Sequence, residues 1–118
     1  MQTITKQEEI GDILMSLGIN RTEASALAYM QDGNEATRTK LEIATRLRQP
    51  EVSIVMMRLK ERGWIKERDE TLPGKGRPRK VYSLATSFKD IITQLEEEQK
   101  KTADEAQARI KWLRGLKP

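Results

Sequence analysis

The sequence predicts a mostly α chain with one small β-hairpin: two short helices in a tight turn, the hairpin after them, and a long C-terminal helix. Three observations predict it. Apolar residues recur at helical spacing in four short runs before residue 63. Two segments rich in β-formers then flank a loop, 71–80, that contains two Gly and two Pro. Between residues 87 and 113 the composition turns to Glu, Lys, Gln and Ala without an internal Gly or Pro.

In the first run Ile10, Ile13, Leu14 and Leu17 fall at helical spacing, and Gly18 stands where a left-handed C-cap is expected. Asn20 offers an N-cap oxygen to a second helix carrying Ala24, Leu27, Ala28 and Met30, which Asp32, Gly33 and Asn34 end. Thr37 or Thr39 caps a third, with the stripe Leu41, Ile43, Ala44 and Leu47 and an end at Arg48 and Gln49. Pro50 follows. Proline is tolerated in a first helical turn, where its missing N–H has no partner to lose, so a fourth helix starts at once. It runs from about Pro50 to Arg62, places Val52, Val55, Met56 and Leu59 on one face, and leaves at Gly63. Two helices joined this tightly make a helix-turn-helix. Strands are expected at 64–68 and 80–84, where Trp64 and Tyr82 fill core positions more readily than they stack on bases.

Length and composition exclude several classes of function. With 118 residues the chain suits one domain, 1–86, and an appended helix, 87–118. It has no Cys and no His, so the thiol nucleophile, the thiolate metal site and the usual general base are all missing. Glu96, Glu97 and Glu98 are consecutive and point around a helix rather than into one site. The loop at 74–78 lacks the spacing and the hydroxyl of a phosphate-binding P-loop. No enzyme activity, cofactor or metal is expected. No apolar run approaches the roughly twenty residues of a membrane span, and the first residues lack the apolar core of a signal peptide, so the cytoplasm is the expected location.

Charge is segregated along the chain. Residues 1–36 carry two basic and six acidic side chains, residues 37–84 thirteen and six, and residues 85–118 seven and six. The middle segment alone holds an excess of +7, the footprint of a surface that meets phosphates. Within it Lys75, Arg77, Arg79 and Lys80 place four cations in six positions, while Pro73 and Pro78 stiffen the loop and limit the entropy lost on binding. Thr39, Lys40 and Arg46, near the ends of the third helix, suit phosphate contacts that position a duplex without reading it.

The fourth helix presents Gln49, Ser53, Ile54, Met57 and Arg58 opposite its apolar face. Gln49-Pro50-Glu51-Val52-Ser53, then Met57-Arg58-Leu59-Lys60-Glu61-Arg62-Gly63-Trp64-Ile65, then Gly76-Arg77-Pro78-Arg79-Lys80-Val81-Tyr82 resemble the recognition helix and wing of winged-helix transcription regulators. The flavour is that of archaeal regulators of the TrmB and ArsR/MarR type, and the resemblance covers about residues 22–84. It implies a sequence-specific regulator of double-stranded DNA, with the positions matching Ser53, Ile54 and Arg58 in the major groove and the wing on backbone or minor groove. The departure is Ile54 and Met57, which stand where polar or basic residues are common. They meet thymine methyl groups or pack against protein, and the second alternative makes the chain a winged-helix interaction module instead. The trailing helix resembles the dimerisation helix of such regulators. Ile92, Gln99, Ala106 and Leu113 are each seven apart, as are Phe88, Leu95 and Thr102. A helix near 40 Å long outreaches so small a domain, so a homodimer through Ile92, Leu95, Ala106, Ile110 and Leu113 is expected ahead of an amphipathic helix folded back on its own body. Trp112 is an interface anchor, a core residue or merely exposed. The sequence names no small-molecule effector.

Overall fold

Three helices begin where a short polar side chain precedes an apolar stripe. In a computed structural model describing residues 5–71, 73–74 and 76–118, the Glu8 amide donates to Thr5 Oγ1 at 3.1 Å and opens α1, Lys6–Ser16. The Glu23 amide donates to Asn20 Oδ1 at 2.9 Å and opens α2, Arg21–Met30. A two-residue strand follows, β1, Ala36–Thr37. Of the two threonines offered by the sequence it is Thr37 that caps α3, Arg38–Thr45, by accepting from the Lys40 amide at 3.2 Å. Each cap satisfies an amide that the first helical turn leaves without a partner.

The turn into the next helix differs from the sequence expectation. Instead of running to Gln49, α3 stops at Thr45 because Arg46 takes a left-handed conformation, φ 59°. Leu47 therefore lies in the turn. Arg48 is the extended N-cap of α4, Gln49–Glu61, and its own amide donates to Glu51 Oε1 at 3.3 Å. At the far end of α4 the Gly63 amide reaches Lys60 O at 2.9 Å and the Trp64 amide reaches Leu59 O at 3.1 Å. This paired closure places Gly63 at φ 80°, a conformation a side chain would oppose. Trp64 is thereby turned inward, with the Arg62 guanidinium 3.8 Å above its ring.

The hairpin is β2, Ile65–Glu70, and β3, Arg79–Leu84, paired from Ile65 with Leu84 to Glu70 with Arg79. β1 adds to the free edge of β3, Ala36 opposite Tyr82, so the sheet is three-stranded and antiparallel in the order β1-β3-β2. The last element is α5, Phe88–Arg114. The fold is a winged helix, mostly helical with a small sheet and a long C-terminal helix.

The chain divides into two compact units, Met1–Phe88 and Lys89–Pro118. In the first, Leu14, Leu27, Met30, Leu41, Val52, Val55, Met56, Leu59, Trp64, Ile65, Val81 and Tyr82 are buried. The apolar face of α4 is thus the one its spacing gives. Two residues depart from their stripes: Ile13 and Ile43 are exposed, Ile43 at 75%. In the short α3 only Leu41 points fully inward. In the second unit Ile92, Ile110, Trp112 and Leu113 are exposed and Ala106 is half-buried. Leu95, grouped with the dimer residues by sequence, is 1% exposed.

Candidate nucleic-acid interface

Helical periodicity separates the two duties of α4. Val52, Val55, Met56 and Leu59 anchor it, and Gln49, Ser53, Ile54, Met57 and Arg58 stand exposed, Ile54 at 44% and Met57 at 54%. Pro50 in the first turn sets where that face begins.

Strand alternation then sorts the wing in a way that counting cations does not show. Successive side chains of a strand point to opposite faces, so Arg79 and Lys80 part company. Lys80 joins Glu67, Ile65 and Tyr82 on the face that meets α4. There they line a cleft of about 250 Å³ with Ser53, Met56, Met57, Lys60 and Arg38. Arg79 joins Arg68, Glu70 and Val81 on the other face, in a second groove with Glu35, Thr37 and Lys40. Arg46 lines a third, beside Glu8, Asp12 and Arg21. Thr39 is exposed on the first turn of α3. Of the residues assigned to base reading, Ser53 and Met57 are therefore brought together with Lys80, whereas the residues assigned to phosphates are spread over three surfaces. Arg77 is exposed beyond the strand, and Lys75 lies outside the described residues.

Much of the wing charge is neutralised from within. Arg79 donates twice to Glu70 Oε1, at 2.6 and 3.0 Å, and Arg68 donates twice to Glu35 Oε2, at 2.6 and 3.0 Å. Glu67 takes the Lys60 ammonium on Oε1 at 2.5 Å and the Lys80 ammonium on Oε2 at 3.1 Å. Lys80 and Glu67 are a diagonal pair across the hairpin, since the register sets Lys80 opposite Asp69. Among the described residues Arg38, Arg58 and Arg77 take part in no ion pair. Sequence reasoning passed over Arg38 and Lys60. The signal was present in the alternating charges 66–70 opposite Arg79 and Lys80, which only a fixed register turns into pairs.

The Lys60 hydrogen bond first, and the Lys80 hydrogen bond second, hold the Glu67 carboxyl below its ordinary value of 4.5. A carboxyl whose value falls on folding contributes stability above its unfolded value and loses it as pH drops through the folded one. The stability advantage of wild type over Glu67→Gln, at most about 1 kcal/mol for so accessible a pair, is therefore expected in full near neutrality. It should disappear on acidification below 4.5. Denaturant midpoints of the two proteins across that range would check it, and an advantage that persists unchanged into strong acid would contradict the assigned bonds.

Among the described residues no group of three or more Asp or Glu could hold a metal ion, and no helix is long and apolar enough to cross a membrane. The fold has solved counterparts. The chain is similar to a protein of Methanosarcina mazei Go1 called a possible transcriptional regulator, at 16% identity and TM-score 0.66, over 91% of this chain and 88% of that one. It is similar to TrmBL2, an archaeal chromatin protein whose structure shows a novel mode of DNA binding, at 16% identity and TM-score 0.65. That match covers 92% of this chain and only 39% of TrmBL2. It is also similar to wild-type MarR from E. coli in its apo form, at 21% identity and TM-score 0.53, over 96% and 89% of the two chains. At such identities the likeness establishes the fold. No protein-family model matches the sequence, and no curated protein matches it.

Proposed function

We propose that this chain is a transcription regulator that binds double-stranded DNA sequence-specifically as a homodimer, with α4 in the major groove and the wing on backbone or minor groove. The observation that carries the reading is the exposed row Gln49, Ser53, Met57 and Arg58 on a helix anchored from behind, with Ser53 and Met57 lining the same cleft as Lys80 and Arg38. A helix held this way fits a groove about 12 Å wide, and side chains along it reach base edges. The DNA binding named for TrmBL2 supports the same direction. The exposed Ile54 and Met57 favour one alternative, a winged-helix module that docks on protein.

Salt decides between them. With Arg79, Arg68, Lys60 and Lys80 engaged internally, Arg38, Lys40, Arg46 and Arg77 are the cations among the described residues taken to neutralise phosphates. Duplex affinity should then fall with salt at a logarithmic slope of about −3 to −4. Fluorescence anisotropy on a labelled duplex would measure it, and a flat response would support the protein-docking module.

The dimer would form through the exposed stripe of α5, which presents Ile92, Ile110 and Leu113 beside the half-buried Ala106. Ile110→Glu with Leu113→Glu is expected to yield a monomer by sedimentation and to weaken operator binding by about tenfold or more, because each half-site then binds alone. A double variant that still sediments as a dimer would remove α5 from the interface.

A further inference from the structure

Glu67 is the least exposed of the carboxylates in the wing network, and it is placed between the two elements that would touch DNA. Its two oxygens accept separate ammonium groups, Lys60 from α4 at 2.5 Å and Lys80 from β3 at 3.1 Å, inside the cleft that Ser53 and Met57 border. Both lysines are more than half exposed at their side chains, whereas Glu67 is 24% exposed. The carboxylate is thus the more covered partner and the cations stand open to solvent. A phosphate approaching the cleft meets two ammonium groups already satisfied and a negative charge between them.

We propose that Glu67 is a specificity-determining residue that competes with DNA phosphate for Lys60 and Lys80, suppressing sequence-independent attachment so that base contacts from α4 decide where the protein binds. The proposal rests on the DNA-binding reading above and adds to it a residue that lowers affinity. Attraction between basic side chains and the backbone is the same for every sequence and supplies most non-specific binding. Base contacts alone discriminate. In a sequence-independent complex the two lysines are free to seek phosphate, whereas in an operator complex the base contacts of α4 fix the docking. A carboxylate that cancels those two charges therefore lowers the first kind of complex more than the second, and the ratio between them rises. The hydrogen bond with Glu67 also raises the Lys80 ammonium above its ordinary value, so the contact favours the charged form on both sides. Glu70 plays no such part: its partners Arg79 and Arg68 lie on the sheet face turned away from Ser53 and Met57.

The test compares wild type, Glu67→Gln and Glu70→Gln on random-sequence duplex by anisotropy over a salt series. Glu67→Gln should bind about three- to tenfold more tightly at low salt, with a logarithmic salt slope steeper by about 1 to 2 as the lysines turn to phosphate. Glu70→Gln, which releases cations on the other sheet face, should change duplex affinity and slope less than Glu67→Gln does. Adding Lys60→Gln should reverse much of the gain in the Glu67→Gln background and do little in wild type, a coupling that general loosening of the fold would not produce. Glu67→Asp, one methylene shorter and unable to span both ammonium groups, should give an intermediate gain and serves in place of Glu67→Gln if that variant melts early. Wild type binding duplex with both Glu67 variants unchanged overturns this proposal alone. No protein binding duplex at any salt overturns the DNA-binding reading with it.

Discussion

Leu59→Ala is expected to lower the unfolding free energy by about 2–5 kcal/mol, a large share of the roughly 5–15 kcal/mol that holds a domain together. Leu59 has no exposed surface, and its carbonyl accepts the Trp64 amide that closes α4. Its side chain sits on the row with Val52, Val55 and Met56, so truncation opens a void on the face of a helix that packs against α2, α3 and β2. Such a void relaxes only in part, and the cost grows with the volume left behind. The informative control is Ile54→Ala on the opposite side of the same helix. Ile54 is 44% exposed, and its truncation should move stability by no more than about 0.5 kcal/mol. Urea titrations of the two variants would separate the faces. Equal losses would mean that α4 is rotated from the orientation described.

That division of α4 was legible in the sequence, and the reasons show what else was and was not. Val52, Val55, Met56 and Leu59 recur at three and four in a run that Pro50 opens and Gly63 closes, so period and punctuation agree. The caps at Asn20 and Thr37 and the hairpin followed from equally local rules, whereas the Thr5 cap of α1 was passed over. The end of α3 did not, because Arg46 is left-handed without being glycine, and no residue type announces that conformation. β1 is two residues long and exists only through its pairing with β3. Ile43 shows the limit of apolar patterning, since an eight-residue helix turns too few times for one stripe to be imposed on every apolar side chain.

The candidate site was legible in its residues and not in its electrostatics. Reading the loop as four equivalent cations ignores the pleat, which sends Arg79 and Lys80 to opposite faces, and the partners, which come from far along the chain. Glu35 meets Arg68 across 33 positions, and Glu70 meets Arg79 across nine. Composition reports the charge of a segment, whereas only the register reports how much of it is left for a ligand.

Arg58 and Arg77 are left available by that pairing, and they are expected to fail in different ways. Arg58 stands on the exposed side of α4, away from Leu59 and without an ion pair among the described residues. A guanidinium there can make two parallel hydrogen bonds to a guanine edge, worth about 1–3 kcal/mol of discrimination against other bases. Arg58→Ala should therefore relax preference at one position of each half-site by about five- to hundredfold while changing random-duplex affinity little. Arg77 stands on the wing beyond β3, where its neighbours Gly76 and Pro78 offer no competing acid. Arg77→Ala should weaken every duplex alike and reduce the salt slope by about 0.9. Selection of bound fragments from random DNA would read the first effect and a salt series on one duplex the second. An exchange of the two phenotypes would place the wing on the bases and α4 on the backbone, reversing the assigned docking.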